Sequence, residues 1–557
     1  MVIATARATV SVGATVSAGA TVLPQTAWLA RAHAAVLLAA AAVLSGAAAA
    51  VLSCAAAAVL SCAAAAVLPC AAAAVLSCAV LPCAAAAAAP VQEDFWRVEP
   101  VPTPPDVVME VGSLEWIPGK DGGPDLLAVA TRRGEIWMAT GVEGDLARVT
   151  WRRFAEGLHE VLGLAWRDGW LYVTQRCEVS RLKDETGDGV ADLFETVSDG
   201  WGINGDYHEY AFGSKFDAAG RIWVVLCLTG SGSSNSLFRG WCLRVGERGE
   251  LIPTCSGIRS PGGIGADADG EVYYTDNQGP WNGTCSLKHL VPGDFMGSPT
   301  GNVWYERAPA MGPKPEEPRS GSRIAAEAAR IPRLRPPAIL FPYGTMGQSA
   351  AGVVCDTTRG GFGPFAGQLL VTDQSHSTVM RCALETVDGV RQGACFPMLA
   401  GLRSGTLVEQ FSPRGMLFVG GTNRGWGSRG AGDFALERVT WTGRTPFEIR
   451  RMRLLPDGFD VEFTEPVDPR SAGDPASWAA KGFTYIYQSS YGSPVVDDEP
   501  CPVAAARPAA DGRSVRLTVK NLRAGVIHEI KAAGVRSAAG LPLLHDTGWY
   551  TLNRLAR

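Results

Sequence analysis

The chain has 557 residues and a formal net charge of −5 at pH 7. This length leaves room for more than one domain. Because the charge balance gives no basic excess, the composition argues against nucleic acid as a partner.

The first 90 residues form an alanine-rich leader. An eight-residue unit of the type AAAAVLSC occurs five times between Ala39 and Cys78, and Arg7 and Arg31 are the only charged residues before Glu93. An apolar run of this length is long enough to span a bilayer, and basic residues followed by an apolar core also describe an expanded secretory signal. The leader therefore predicts an exported protein, periplasmic or extracellular. A retained membrane anchor and a misassigned start with a spurious extension are the alternatives.

Residues 91–105 are rich in proline and are expected to form an extended linker. After them a strand–turn–strand unit recurs, most clearly as GIGADADGEVYYTDNQG from Gly263 to Gly279. The six copies have turn glycines at positions 123, 169, 220, 270, 367 and 415. A strand-rich repeat of about 40–50 residues is typical of propeller blades. The pattern predicts an all-β fold with a six-bladed β-propeller over residues 106–442.

The step from Gly270 to Gly367 is longer than the others and predicts an insertion, with a hidden seventh blade as the alternative. Its segment Ala308–Pro337 is rich in proline and arginine, and a short helix is expected at Ser322–Ala329.

From residue 443 to 557 the pattern changes to alternating strands separated by turns, as in a small β-sandwich of the immunoglobulin or fibronectin kind. Strands are expected at Phe447–Leu454, Gly458–Phe463, Ser514–Val519 and Val526–Lys531. No chemical motif occurs in this region, so a binding or packing role is expected.

Two pairs of cysteines flank predicted hairpin turns. Cys242 and Cys255 are centred on Arg248-Gly249, and Cys382 and Cys395 are centred on Asp388-Gly389. With two-residue turns, both pairs fall on directly opposed positions of antiparallel strands, where side chains are close enough for a disulfide. Two pairs of reduced, half-buried thiols are the alternative.

The polar residues that follow the strands of a propeller gather at one mouth of its channel. This placement makes several side chains candidates for cofactor binding. They are Arg132, Arg176, Gln278, Gln374, His376, Asn423 and Arg424. The alternative is that these positions are polar only because strand ends meet solvent.

His208, in the loop sequence GDYHEY, is the candidate general base, because imidazole titrates near neutral pH. Asp206 and Glu209 flank it and are expected to orient it. A single histidine in a loop with a purely structural role is the alternative. Arg259, in the loop before the fourth copy, is expected at the same mouth.

The segment DETGDGVADLFE has the spacing of a calcium-binding loop, with a glycine at its sixth position for the tight turn. The predicted ligands are Asp184, Thr186, Asp188, Val190 through its carbonyl, Asp192 and Glu195. A threonine at the third position departs from the usual aspartate or asparagine. A solvated acidic turn is the alternative.

Four segments carry a resemblance to a known family. They are HEYAFGSKFDAAGRIWVVL, SGIRSPGGIGADADGEVYYTDNQGP, GDFMGSP and GQLLVTDQSHSTVMR, starting at His208, Ser256, Gly293 and Gly367. Residues 105–442 resemble the quinoprotein glucose/sorbosone dehydrogenases, and most closely a divergent group of membrane-bound dehydrogenases found in planctomycete-type genomes. The resemblance implies a six-bladed propeller that holds pyrroloquinoline quinone and calcium and oxidises a sugar hydroxyl or aldehyde.

Under this resemblance His208 corresponds to the catalytic base and Arg259 to the arginine of an Arg-Asn pair, whose asparagine is replaced here by Ser260. Gly279 and Pro280 correspond to the segment that offers carbonyl oxygens to calcium. Ser375-His376 stands where the family has a lysine that pairs with the quinone, and no Arg-x-Arg occurs between Glu409 and Phe418.

Two functions follow from these observations. The first is an exported sugar or polyol dehydrogenase that passes electrons to a separate acceptor. The second is a carbohydrate- or protein-binding propeller that has lost the quinone site, with Trp201, Trp281 and Trp426 stacking on sugar faces. The missing lysine and Arg-x-Arg favour the second, and His208 with Arg259 favours the first.

Overall fold

The computed structural model describes residues 89–119 and 122–556. The predicted signal or anchor lies outside these residues. The described chain consists mainly of β-strands, so the all-β prediction is confirmed. Most strands form four-stranded antiparallel sheets, an arrangement consistent with a β-propeller. No helix in the described ranges has the length and apolar character needed to cross a bilayer.

The sheets follow one another along the chain and are numbered here in that order. The first strand of the described chain, β1 (Trp96–Pro100), belongs to the sixth sheet. Sheet 1 consists of β2 to β5: Val111–Ile117, Leu126–Thr131, Ile136–Thr140 and Thr150–Ala155. Sheet 2 consists of β6 to β9: Gly163–Arg167, Trp170–Thr174, Val179–Lys183 and Leu193–Ser198. Sheet 3 consists of β10 to β13: Ala211–Phe216, Ile222–Leu226, Trp241–Val245 and Leu251–Ser256.

The next three sheets continue the series. Sheet 4 consists of β14 to β17: Pro261–Ala266, Val272–Asp276, Ser286–His289 and Ile339–Leu340. Sheet 5 begins with β18 to β21: Ala350–Cys355, Leu369–Asp373, Thr378–Val387 and Val390–Leu399. Sheet 6 consists of β1 and of β22 to β24: Thr406–Phe411, Leu417–Thr422 and Phe434–Trp441. Each of the six sequence repeats forms the first two strands of its sheet. In sheet 6 these are β22 and β23, because β1 comes from the chain before the first repeat.

The first strand of each repeat packs against the first strand of the next, and β22 packs against β2. Glycine permits this close approach: a Cβ at Gly163 in β6 would lie 2.8 Å from the Cα of Gly213 in β10. The second strands, such as β11 (IWVVL) and β15 (VYYTD), are buried along their whole length. Their nearly continuous apolar sequences fit a position between neighbouring sheets.

The segment predicted as a linker contains β1, which corrects that expectation. β1 pairs antiparallel with β24, from Trp96 opposite Trp441 to Pro100 opposite Glu437. Trp96 is 1% exposed and stacks on Phe365 at 6.2 Å. The burial of this large side chain holds the strand against sheet 6. The proline content of the segment did not indicate it.

Helices are few and short. The α-helices are Ile324–Arg330 and Pro469–Ala472, and the 3₁₀ helices are Gln92–Asp94, Leu146–Arg148, Pro299–Arg307, Pro309–Met311 and Pro475–Ser477. The first α-helix lies in the predicted insertion, two residues from the expected start. No strand occurs between β16 and β17 in the described chain, so the insertion contains no further sheet.

The C-terminal region adds eight strands, β25 to β32: Ile449–Leu455, Gly458–Phe463, Ala479–Tyr485, Val495–Pro500, Val503–Pro508, Ser514–Val519, Val526–Lys531 and Thr547–Leu552. Four of them form one sheet in the order β25-β26-β30-β29. The other four extend sheet 5 in the order β21-β32-β31-β27-β28. An apolar cluster that includes Phe459, Val515, Ile530 and Tyr550 joins the two sheets.

Both predicted cysteine pairs lie opposite each other, Cys242 with Cys255 and Cys382 with Cys395. The second pair flanks the predicted turn, where Asp388 and Gly389 have φ values of 46° and 75°. In the first hairpin the loop is longer than predicted, and a register shift follows Cys242. All nine cysteines of the described residues are free thiols. The disulfides are therefore not present in this structure.

Candidate functional site

A cavity of about 320 Å³ opens where the loops between sheets converge. The loops before sheets 3 and 4 contribute His208 and Arg259, and the C-terminal region contributes Tyr491. The polar groups that line the cavity are guanidinium, imidazole, amide and hydroxyl groups. No aspartate or glutamate lines it among the described residues. The polar and aromatic lining residues are Arg132, Tyr207, His208, Tyr210, Phe212, Ser231, Arg259, Ser260, Asn277, Gln278, Tyr343, Gln348, Ser349, Gln374, Ser375, Trp426 and Tyr491.

The loop that carries His208, residues 199–210, is fixed by hydrogen bonds from both sides. Asp206 Oδ1 accepts from the backbone amides of His208 and Gly230, each at 2.8 Å. Arg176 donates to the backbone carbonyls of Asp206, at 2.8 Å, and Tyr207. Glu209 is fully buried and accepts from the backbone amide of Asn204 and the hydroxyl of Thr229. Glu209 therefore stabilises the loop, and its hydrogen bonds go to Asn204 and Thr229 and not to the imidazole.

The imidazole of His208 faces the cavity with its side chain 26% exposed. Its Nδ1 lies 4.0 Å from Asp206 Oδ1, and the ring makes no hydrogen bond with the described residues. Partial burial lowers the pKa of His208, the nearby charges of Arg259 and Arg176 lower it further, and Asp206 opposes them. The ring is therefore neutral at pH 7 and available to accept a proton.

Arg259 is 4% exposed and is held by main-chain carbonyls. Its Nε donates to Ser231 O at 3.1 Å, and its Nη1 donates to Asn277 O at 3.2 Å and to Gln278 O at 2.5 Å. Its Nη2 has no hydrogen-bond partner in the described chain, and no carboxylate forms an ion pair with the guanidinium there. His208 and Arg259 both line this cavity, so one ligand can reach both side chains.

Arg132 and Arg176 share one buried carboxylate, that of Glu160. Glu160 Oε1 accepts from Arg132 at 2.6 and 2.8 Å, and Oε2 accepts from Arg176 at 2.5 Å. Burial by itself raises the pKa of Glu160, but the two arginines more than offset it and the pKa is lowered. The guanidiniums of these two predicted cofactor-binding residues are therefore both ion-paired with one protein carboxylate.

The other predicted cofactor-binding residues divide into two sets. Gln278 and Gln374 line the cavity. Asn423 uses its amide within its own loop, donating to Gly430 O and Gly432 O. Arg424 pairs with Glu110 at 3.3 Å in a neighbouring polar depression, and His376 is buried with its backbone amide bound to Asp373.

The predicted calcium loop folds as a turn stabilised by its own carboxylates. Asp184 accepts from the amides of Gly187 and Gly189, and Asp192 accepts from the amides of Glu185 and Thr186. The remaining predicted ligands point to other partners or to solvent: Asp188 bonds the amide of Val190, and Glu195 pairs with Arg181. No group of three or more acidic, histidine or cysteine side chains in the described residues is arranged to hold a metal ion. These residues do not fit calcium.

The carbonyl of Gly279, the other predicted calcium ligand, accepts from the amides of Asn282 at 3.0 Å and Gly492 at 3.1 Å. Pro280 pairs with Tyr491 in an isolated β-bridge. This segment therefore joins the cavity wall to the C-terminal region, and the carbonyl oxygen of Gly279 is engaged.

Pyrroloquinoline quinone carries several carboxylates, which require several cations. Arg132 and Arg259 are the cations among the described cavity residues. Because Glu160 pairs with Arg132, Arg259 is the one cation of the described lining without an ion pair. The described residues therefore do not fit the quinone.

Of the three tryptophans predicted to stack on a ligand, one lies at the cavity. Trp426 is 53% exposed, and its ring centroid lies 6.2 Å from that of His208. Trp201 is buried with its indole N–H on Arg176 O, and Trp281 is buried against Tyr487. These two tryptophans belong to the core.

Sequence reasoning missed the aromatic rim and the buried carboxylate of Glu160. Tyr491 lies in the loop 486–494 of the C-terminal region and stacks on Arg259, whose Cζ is 5.3 Å from the ring centroid. No motif marks this tyrosine. Glu160 lies just before the second repeat, as Asp206 lies before the third. This shared position is the one sequence signal that could have indicated Glu160.

Comparison with known proteins yields a family model and structural likenesses. A family model described as a domain of unknown function (DUF7133) matches residues 119–391. No curated protein matches the chain.

Among solved structures, similar ones include a glucose dehydrogenase-type oxidoreductase from Thermus thermophilus, with 22% identity over 62% of this chain and 99% of that one and a TM-score of 0.44. The PQQ-bound aldose sugar dehydrogenase from Streptomyces coelicolor has 16% identity over 64% and 100% of the two chains and a TM-score of 0.42. The PQQ domain of pyranose dehydrogenase from Coprinopsis cinerea has 12% identity over 62% and 95% and a TM-score of 0.42. Likenesses at this level say nothing about the ligand or reaction of this chain.

Proposed function

We propose that the protein is an exported, six-bladed β-propeller with a C-terminal β-sandwich, and that its central cavity binds a sugar or polyol. The contact of each repeat's first strand with the next, including β22 with β2, supports a closed ring of six blades. The apolar cluster between the two C-terminal sheets supports the sandwich. Export rests on the sequence of the leader.

The lining of the cavity is the observation that carries this function. The amides of Asn277, Gln278, Gln348 and Gln374 can each donate and accept hydrogen bonds, as the hydroxyls of a sugar require. Trp426 and Tyr491 present exposed aromatic faces at the rim. Apolar faces combined with a few placed polar groups are typical of sites for small organic ligands.

Within this site the neutral imidazole of His208 accepts a hydrogen bond from a ligand hydroxyl. Asp206 lies on the Nδ1 side of the ring, so the neutral tautomer with its hydrogen on Nδ1 leaves Nε2 as the acceptor. Arg259 lines the same cavity, and its Nη2, which has no partner among the described residues, is a further donor for the ligand. This arrangement orients and polarises one hydroxyl.

A sugar dehydrogenase is the second candidate, and His208 beside Arg259 is the observation that favours it. Oxidation also requires an oxidant in the cavity and a separate electron acceptor. Because the described residues do not fit the quinone, we expect no quinone-dependent reaction. Dye reduction by purified protein supplied with quinone, calcium and a sugar panel tests this, and reduction that disappears in His208→Ala would establish the dehydrogenase instead.

Calorimetric titration of the purified protein with neutral sugars and polyols tests the binding function. We expect at least one ligand to bind with a dissociation constant in the micromolar to millimolar range, and His208→Ala to weaken it about tenfold, the value of a hydrogen bond or two. Arg429→Gln, a substitution outside the cavity lining, is the matched control and should bind as the wild type does. Absence of binding across the panel would contradict the proposal.

A further inference from the structure

Most buried cations of the described residues form an ion pair with a carboxylate, whereas Arg259 does not. Lys288 pairs with Asp276 at 2.9 Å, and Arg381 pairs with Glu448 at 3.4 Å. Arg132 and Arg176 pair with Glu160. These carboxylates compensate the cost of removing a cation from water.

Arg239 is the useful comparison for Arg259, because it too is buried without an ion pair among the described residues. All three of its donor nitrogens are satisfied by carbonyls, those of Gly202, Tyr210 and Arg176. Burial lowers its pKa to about 10. Arg259 also relies on carbonyls, but its Nη2 remains without a partner in the described chain, and it lines a cavity.

The nearest carboxylate to the backbone of Arg259 is already engaged. Asp276 accepts from the Arg259 amide at 3.4 Å, from the Ser260 amide at 2.8 Å and from Lys288 and Tyr274 through their side chains. The charge of Asp276 is therefore compensated by Lys288. Arg259 is thus the one cation of the described cavity lining that has no carboxylate partner, and that lining contains no acidic side chain.

From this imbalance we infer that the ligand carries a carboxylate that binds Nη2 of Arg259, so that the substrate class is sugar acids such as uronates or aldonates. This inference rests on the proposed sugar-binding function and specifies it. A phosphate commonly engages several cations at once, whereas one free guanidinium nitrogen and no lysine suit a carboxylate. Tyr491 stacks on the same guanidinium, with its ring centroid 5.3 Å from Cζ, and so borders this ion pair.

The test compares matched ligands on the full chain by calorimetric titration. D-glucuronate should bind about tenfold or more tightly than D-glucose, the strength of a charge-assisted hydrogen bond in a buried site. Arg259→Gln should abolish that preference, and Arg259→Lys should retain part of it. Arg429→Gln, which removes an arginine outside the cavity lining, should keep the full preference.

Each result has a defined meaning. Equal affinity for glucose and glucuronate, or a preference that survives in Arg259→Gln, would overturn the carboxylate assignment and leave the sugar-binding function standing. Failure of both ligands to bind would overturn the two together. Tighter binding of glucose 6-phosphate than of glucuronate would assign the charge to a phosphate. Tight, Arg259-dependent binding of pyrroloquinoline quinone alone would assign it to a cofactor. Either of these last two results would overturn the inference.

Discussion

The imidazole of His208 determines the pH range in which the cavity can accept a proton. Burial lowers its pKa first, with Arg259 and Arg176 acting in the same direction and Asp206 acting against them. An NMR titration of the imidazole should therefore give a midpoint below the ordinary value of about 6.5. Arg259→Gln should raise this midpoint, and Asp206→Asn should lower it. A midpoint above 6.5 in the wild type would contradict this electrostatic account.

His528, in the C-terminal region, is expected to make stability depend on pH. It is fully buried, and burial, followed by the charge of Arg523, lowers its pKa to about 4. The unfolded chain binds this proton near a pH of about 6.5, so the stabilisation is complete above that pH and is lost as the pH falls through about 4.

The loss is of the order of 3 kcal/mol in the free energy of unfolding. Denaturant unfolding of the wild type and of His528→Gln at several pH values measures it. The stability difference between them should shrink as the pH falls from about 7 to about 4, and a constant difference would exclude His528 as the titrating group.

Gly279 is required for the position of Arg259. A Cβ at this residue would overlap the guanidinium carbon of Arg259. Gly279→Ala should therefore displace the guanidinium and reduce affinity for an acidic sugar to the level of Arg259→Gln. Gly144→Ala is the control, because its Cβ would make only an ordinary contact at 3.6 Å from Gly141 O. Calorimetry and thermal unfolding of both variants separate loss of the site from loss of the fold.

At the level of elements, the loop 486–494 makes the C-terminal region part of the site. Trp281 N donates to Gln488 O at 2.7 Å, and Gly492 N donates to Gly279 O at 3.1 Å. These bonds hold Tyr491 over the cavity while leaving the residue 67% exposed. The sequence predicted a binding or packing role for this region, and the loop places one of its side chains at the rim of the cavity.

Tyr491→Ala should lower ligand affinity about two- to tenfold through loss of the aromatic face. Its thermal midpoint should stay near that of the wild type, because an exposed side chain contributes little to the core. Tyr491→Phe keeps the ring and should bind almost normally. If both variants bind like the wild type, the tyrosine has no part in recognition.

For the whole molecule, sheet 5 connects the repeat region to the C-terminal region. β21 pairs with β32. Arg381, fully buried in sheet 5, bonds Ile449 O, Arg450 O and Glu448. Removing the C-terminal strands would leave this cation without its partners and a strand edge exposed.

The full-length protein should consequently unfold in one cooperative transition by calorimetry. A chain truncated after residue 442 should be insoluble or greatly destabilised. Two separate transitions, or a soluble and stable truncated chain, would show that the two regions fold independently.

Much of the fold could be predicted from local sequence, because turn glycines and apolar strands act over short distances. Gly169, Gly220, Gly270, Gly367 and Gly415 all adopt positive φ, as the repeat pattern required. In the first repeat Gly122 takes this role in place of Gly123. The strands Gly458–Phe463 and Ser514–Val519 have the predicted bounds.

Pairings between distant segments could not be predicted in this way. Nothing near Trp96 in the sequence indicates Trp441 as its neighbour, and nothing near Tyr491 indicates Arg259. The sequence also placed Arg176 among the cofactor-binding residues, whereas its guanidinium holds Glu160 and the loop of His208. A charged residue at a strand end looks the same in sequence whether a ligand or a protein carboxylate compensates it.

The pairing of β1 with β24 also affects how the protein is made. Asp94 and Thr442, which bond each other at this junction, are 348 positions apart. A ribosome must therefore synthesise almost the whole repeat region before its first described strand can find its partner. Until then sheet 6 has an open edge, so we expect slow final closure and a dependence on chaperones during biosynthesis.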